Sequence, residues 1–348
     1  MTTHNLLKTA VLLVCSAAQF ARGDAVTDWN NAALDAIRAD NTPPPKASRQ
    51  LAILHASIYD AVNGITRTHE VYFVASAVPA SASKVAAASA AAHEVLLNFH
   101  PTHAATFDAL HATTLAAIRS GPQKTAGLAW GESVAEQILA ARANDGSNAT
   151  VPPPSGSGPG YWVATPPGFG AYSLPQWGFI TPFAMMDHAQ FRPPGPPALA
   201  SAEYAADCND VKALGVALGS TRTADQDEIA LFWADGAGTE TPPGHWNSIA
   251  QDVASAHGNT LEQNARLFAL LNLAMADAAI CAWDAKYTFN FWRPVTAIRN
   301  GDTDGNDATI PDPTWSSFIG TPPFPDYVSG HSTFSGAAST VLALFYGT

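Results

Sequence analysis

Two stretches of this sequence carry residues whose types and spacing could do chemistry. The first is Asp284-Ala285-Lys286-Tyr287-Thr288-Phe289-Asn290-Phe291-Trp292-Arg293-Pro294. Lys286 and Arg293 stand seven apart, nearly two helical turns, so a helix through both would project the two cations from one face. Beside Phe289, Phe291 and Trp292 such a pair makes a partly desolvated positive site. An arginine fork matches a tetrahedral oxyanion, and lysine adds a point charge. Pro294 is expected to end that helix. The plainer reading of the same spacing is a solvated face with an ordinary Lys and Arg. The second stretch is Pro322-Pro323-Phe324-Pro325-Asp326-Tyr327-Val328-Ser329-Gly330-His331-Ser332-Thr333-Phe334. Its prolines forbid a helix before Asp326. Ser329 is placed as an N-cap, and Ala337, Val341, Leu344 and Phe345 supply the apolar stripe of the helix that follows. Ser329, Gly330 and His331 therefore sit at a helix N-terminus, where unpaired N–H groups and the helix dipole favour an anion. Gly330 lets a ligand approach its backbone N–H, the Ser329 hydroxyl can donate, and His331 can act as general acid or base near neutral pH. A capped structural helix with a surface histidine is the plainer alternative.

Together, and in this order, the two stretches resemble the superfamily of vanadium-dependent haloperoxidases and type 2 phosphatidic acid phosphatases. Its pattern runs K-x6-R-P, then a P-S-G-H-like motif, then S-R-x5-H. Lys286, Arg293 and Pro294 match the first part; Ser329, Gly330 and His331 match the second, with Val328 where proline is usual. Trp283-Asp284-Ala285 and Phe289-Asn290-Phe291-Trp292-Arg293-Pro294 are similar to the exported bacterial haloperoxidase-related branch. The resemblance implies an all-α fold of helical bundles holding vanadate, or phosphate as the alternative ligand. It implies that Lys286 and Arg293 bind the oxyanion's oxygens, that Ser329 and the Gly330 N–H bind others, and that His331 is the catalytic acid–base residue. The implied reaction is oxidation of a halide by hydrogen peroxide at bound vanadate. Hydrolysis of a phosphomonoester in the same pocket, as an exported acid phosphatase, is the alternative. Both rest on convergent donors that stabilise an oxyanion. The third motif has no counterpart: 17 residues follow His331, with no His, Arg or Lys among them. The family's vanadium-ligating histidine is thereby missing, and none of the other histidines lies in an S-R-x5-H context. The resulting expectation is a second bundle lacking its last helices, with an apolar face left on the helix from Gly330. A catalytically inactive helical protein that at most binds phosphate is the third possibility.

The elements that must position these residues are mostly helical. The chain has 348 residues, 47% hydrophobic and only 13% charged, with a net charge of -12. That hydrophobicity excludes a disordered chain, and the acidity excludes a nucleic-acid binder, which needs a basic face. A first helical block spans residues 24–146. In it Trp29, Ala33, Leu34 and Ile37 form one stripe, and Leu51, Leu54, Ile58 and Val62 a second, stopped by Asn63-Gly64. An alanine-rich helix runs from Ser83 to Phe99, and two more run over Thr102–Arg119 and Gln123–Ala143. Residues 147–200 hold 12 of the 26 prolines, interleaved with Tyr161, Trp162, Tyr172, Trp177, Phe179, Phe183 and Phe191. Such a segment excludes long regular elements yet is too aromatic for a disordered linker, so it reads as an ordered strap. The second block, residues 201–348, begins at Ser201 as an N-cap. Thr223 with Gln226, and Thr260 with Gln263, fit the capping box. The helix from Thr260 leads into the Lys286 stretch.

Residues 1–23 read as a signal peptide: Lys8, an apolar run from Thr9 to Ala18, and Ala21-Arg22-Gly23 before the cleavage point. Export to the periplasm or the exterior is the expected localisation, with no other run long and apolar enough to span a bilayer. The export route permits Cys208 and Cys281 to pair, without requiring it. Other signals are set aside. Gly330-His331-Ser332-Thr333-Phe334 lacks the fifth-position glycine of a nucleophile elbow. His93-Glu94 has Leu97 where a zinc protease needs its second histidine. The acidic turn at Asp302, Asp304, Asn306 and Asp307 lacks the glycine and glutamate of a calcium loop.

Overall fold

The structure is a computed structural model and describes residues 24–76 and 78–347. The signal-peptide expectation lies outside those residues. Eleven α-helices and two 3₁₀ turns make up the regular structure described, with two isolated β-bridges and no strand among the described residues. The helices are α1 (Ala25–Ala39), α2 (Pro44–Thr66), α3 (Lys84–Phe99), α4 (Ala104–Ala116), α5 (Pro122–Arg142), α6 (Ala202–Gly215), α7 (Ala224–Phe232), α8 (Thr241–His257), α9 (Leu261–Phe289), α10 (Pro294–Arg299) and α11 (Gly330–Tyr346). The all-α expectation holds.

Local sequence explains most of the boundaries. Ser83, Ser201, Thr223, Thr260 and Ser329 cap their helices with side-chain oxygens, and both capping boxes close reciprocally,. Pro122 opens α5 at the position where a missing N–H costs nothing,. Two expectations need correction. Asn63-Gly64 does not stop α2, which continues to Thr66 and ends on Arg67 in the left-handed region, φ 55°. Gly64 serves packing instead: a Cβ there would lie 2.5 Å from the Trp130 ring. The helix expected over Thr102–Arg119 begins as a 3₁₀ turn at Pro101–His103, and its α-helical part ends at Ala116.

One hydrophobic core runs from α1 to α11. Alanines 86–88 and 90–92 let α3 approach α5 until only glycine fits: a Cβ on Gly131 would sit 2.2 Å from the Ala87 carbonyl oxygen,. α9 is the central element and packs against α2 on one side and α11 on the other. By length and composition α9 could cross a membrane, which corrects the expectation that no such run exists. Here 67% of its most apolar window is buried in this chain's own core, and it carries the buried Asp277, Asp284 and Lys286.

The proline-rich segment 147–200 is laid along the C-terminal half of α9. The backbone N–H groups of Phe183, Ala184 and Met185 donate to the Asp277 carboxylate at 2.7, 2.8 and 2.8 Å. Arg192 grips Asp284 with two bonds of 2.6 Å. Gly178 presses so close to α9 that a Cβ would meet the Asp284 Cα at 2.7 Å. Trp162 donates its backbone N–H to Asn290 O, and Trp292 its own to Gly160 O, both at 2.9 Å. Cys208 and Cys281 are both free thiols, so the permitted disulfide is not formed. On α11, Phe334 and Ala338 are buried and Leu344 stands in solvent.

Candidate oxyanion site

The expected helix through both cations does not form. α9 ends at Phe289, and Asn290 takes the left-handed cap conformation, φ 47°,. Arg293 follows in extended backbone, as a residue before proline must, and Pro294 starts α10 rather than ending α9,. Lys286 and Arg293 nevertheless meet. Both line a cavity of about 300 Å³ whose wall also includes Ser329, Gly330 and His331. All five sequence-derived site residues are thus brought together, by a break in the helix rather than by its periodicity.

The cations are held by the loop 322–328, which the sequence did not mark as a partner. Lys286 is 1% exposed. Its ammonium donates to the carbonyls of Pro325 at 3.0 Å, Asp326 at 2.7 Å and Val328. Arg293 donates Nε–H to Phe324 O at 2.7 Å, Nη1–H to the Asp326 carboxylate at 2.8 Å, and Nη2–H to Pro322 O at 3.4 Å. Phe324 lies beneath both charges, 5.1 Å from the lysine nitrogen and 4.7 Å from the guanidinium carbon,. Burial pushes the Lys286 pKa down to about 7, with the nearby Arg293 acting in the same direction and Asp326 opposing. Burial also lowers that of Arg293, again against the pull of Asp326. The aromatic neighbours expected from sequence are only partly the right ones. Phe324 and Trp283 line the cavity, whereas Phe291 and Trp292 line an adjacent one.

Helix N-termini complete the wall. Ser329 caps α11 by accepting from Ser332 N–H at 3.2 Å, and the first helical bond is Thr333 N–H to Ser329 O at 3.1 Å. The N–H groups of Gly330 and His331 precede that bond and are orphans of the helix start. A Cβ added to Gly330 would meet nothing nearer than Trp283 at 3.7 Å. This glycine therefore keeps space open instead of serving close packing. His331 is exposed. Pro44 and Pro242 bring the first turns of α2 and α8 to the same cavity, neither carrying a side-chain cap bond. Three helix dipoles thus converge with their positive ends on one space. Sequence reasoning passed over Pro44 and Pro242 because proline carries no chemistry of its own; its frequency at helix starts was the available signal.

The donor set fits a tetrahedral oxyanion: a guanidinium with two N–H groups left over, an ammonium, a hydroxyl and a helix start. All three Lys286 donors are taken by carbonyls, so a contact from Lys286 to a ligand oxygen replaces one of those bonds. Among the described residues, His331 is the one histidine lining the cavity. The described residues hold no cluster of His, Cys, Asp or Glu suited to a metal ion.

Fold and site together define an all-α protein with an oxyanion cavity where helix starts converge, and known proteins similar to it are vanadium haloperoxidases. Residues 266–348 match the family model described as the VCPO second helical-bundle domain. The chain is 32% identical over 204 residues to the vanadium chloroperoxidase of Curvularia inaequalis, a match covering 51% of this chain and 33% of that protein. It thus spans about a third of the length of that curated relative. Its fold is similar to that of the first bacterial vanadium-dependent iodoperoxidase, with a TM-score of 0.80 at 26% identity, over 92% of this chain and 80% of the other. A holo-type bacterial vanadium-dependent chloroperoxidase shares the fold at a TM-score of 0.67 and 19% identity, over 88% and 77% of the two chains. The resemblance read from Lys286-x6-Arg293-Pro294 and Ser329-Gly330-His331 is the resemblance these comparisons find.

Proposed function

We propose that the cavity holds vanadate and that this chain acts in halide oxidation by hydrogen peroxide. One observation carries the proposal: two buried cations from one segment and a helix start from another line a single cavity. Lys286, Arg293, the Ser329 hydroxyl and the Gly330 N–H would hold the oxyanion's oxygens. Vanadate bound there supplies activation of the peroxide towards halide. The chain's own residues bind and orient. Lys286 and Arg293 neutralise charge in a poorly hydrated setting, where each contact is worth more than in water. Trp283 and Phe324 limit the water on the inner wall. His331, exposed at the helix start, carries protons between solvent and the bound oxygens. Export belongs to the same proposal, supported by the signal-like pattern of residues 1–23.

A second reading, oxyanion binding without turnover, is favoured by His331 being the one cavity histidine among the described residues. One set of assays separates these readings. Bromide oxidation by the purified chain with orthovanadate and peroxide supports the first. Phosphomonoester hydrolysis without vanadate would replace it with the phosphatase alternative, and vanadate binding with neither activity leaves the second reading. Gly330→Ala tests the open space directly. With room for the added methyl on the protein side, its thermal midpoint is expected to match the wild type, while orthovanadate binds several-fold more weakly. Equal affinity would remove the α11 start from the site.

A further inference from the structure

The wall of the oxyanion cavity carries one group that opposes an anion. Asp326 lines it beside Lys286 and Arg293. Its carboxylate accepts from Arg293 Nη1–H at 2.8 Å, and its second oxygen has no hydrogen-bond partner among the described residues. The side chain is 37% exposed. The carboxylate is thus one hydrogen bond away from the guanidinium that would hold the anion. Both cations feel it: Asp326 opposes the burial that lowers the pKa of Lys286 and of Arg293.

The main chain of Asp326 has a separate task. Its N–H donates to Phe291 O at 3.0 Å, and its carbonyl accepts from the Lys286 ammonium at 2.7 Å. The backbone therefore fastens the loop, and the side chain supplies the charge. No other Asp or Glu lines the cavity, and no other Lys or Arg does. The carboxylate cancels one of the two cations and leaves a wall with a single surplus positive charge when His331 is neutral. A fixed negative charge repels a doubly charged ligand twice as strongly as a singly charged one. The hydrogen-bond donors of the site cannot make that distinction, because tetrahedral oxyanions of either charge offer them the same four corners. Selectivity of this kind comes from a repulsive element rather than from an added contact.

We propose that Asp326 makes this cavity selective for singly charged tetrahedral oxyanions over doubly charged ones. The inference rests on the oxyanion reading above and gives that site its specificity. Just above neutral pH, phosphate is mostly a dianion and orthovanadate mostly a monoanion. Asp326 therefore tilts the cavity towards vanadate and away from a phosphate of similar shape.

Perrhenate and sulfate test this, because both are tetrahedral, carry one and two charges, and take up no proton near neutral pH. Each is titrated by calorimetry into the full chain and into Asp326→Asn, at pH 6 and constant ionic strength. The amide keeps an oxygen for Arg293 and leaves the main-chain bonds in place, so the thermal midpoint is expected to stay close to that of the wild type. The wild type is expected to bind perrhenate more tightly than sulfate. In Asp326→Asn, sulfate should gain about tenfold relative to perrhenate. Proton loss from Lys286 in the variant offsets part of that gain without reversing it. Asp326→Glu retains the charge and should retain the wild-type preference. A carboxylate that only positioned Arg293 would give the opposite sign, since a misplaced guanidinium weakens the dianion more. An unchanged ratio or a shift towards perrhenate in folded Asp326→Asn would overturn the proposal. So would a glutamate variant that behaves like the asparagine one, or a wild type that binds sulfate as tightly as perrhenate or binds neither. Orthovanadate titrated alongside separates the two failures. Vanadate bound by the wild type with an unchanged ratio in Asp326→Asn removes this inference alone, whereas no bound vanadate removes the oxyanion reading as well.

Discussion

Lys286→Met is expected to unfasten the loop 322–328 and to abolish oxyanion binding. Methionine matches the length of lysine but donates nothing, so the carbonyls of Pro325, Asp326 and Val328 lose their common donor at a largely buried place. Each buried acceptor left unpaired costs about 1–3 kcal/mol, so a stability loss on the order of 3–5 kcal/mol follows if the loop relaxes in part. Urea unfolding measures it, and a loss below about 1 kcal/mol would mean that the loop does not depend on Lys286. Lys286→Arg separates charge from geometry. Because burial and Arg293 lower the Lys286 pKa to about 7 from an ordinary 10.5, the ammonium is the dominant form below pH 7 and is lost above it. Arginine stays charged throughout. The wild-type affinity for orthovanadate, divided by that of Lys286→Arg, is therefore expected to fall as pH rises through about 7. The ratio cancels the anion's own titration. The sign for folding runs the other way. Between pH 7 and 10.5 the unfolded chain holds the proton that the folded chain releases, so this group's penalty on stability shrinks as pH rises,.

Asp277→Ala carries the second large effect, through the strap. Its carboxylate is buried on α9 and receives three backbone N–H groups in succession, from Phe183, Ala184 and Met185. Hydrogen bonds to a charged acceptor are the strong ones, and removing it leaves three donors facing a void. A loss of about 3–5 kcal/mol is expected, with Asp277→Asn in between because its amide keeps one acceptor oxygen. Limited proteolysis gives the local readout: residues 180–192 should become cleavable before the rest of the chain opens. Cleavage that begins elsewhere would show that Arg192–Asp284 and Gly178 hold the strap without Asp277.

Side-chain chemistry made the site legible before any fold was known. The cation pair and the Ser329-Gly330-His331 corner are statements of residue type, and capping made the start of α11 readable to the residue. The backbone between the cations was not legible. Asn290 can cap a helix or continue one, and its choice depends on Trp162 and Tyr172, which pair with it from more than a hundred residues away. The loop clamp was hidden for a similar reason. Carbonyl acceptors belong to every residue, so nothing in Pro325, Asp326 or Val328 announces a lysine partner. Gly64 shows the same limit in the fold. Its helix-stopping appearance was overridden by the demand of the Trp130 ring for a missing Cβ. The contributions of α2 and α8 needed the tertiary arrangement, because a helix dipole has no residue signature beyond the proline that opens it.

The most direct test of the account is calorimetric titration of orthovanadate into the full chain and into Arg293→Gln at pH 6. One vanadate per wild-type chain, with affinity reduced about a hundredfold or more by the substitution, is the expected result for a buried charged donor to an oxyanion. Equal binding by the two proteins, or none by the wild type, would contradict the claim that Arg293, Lys286 and the start of α11 close around one tetrahedral anion.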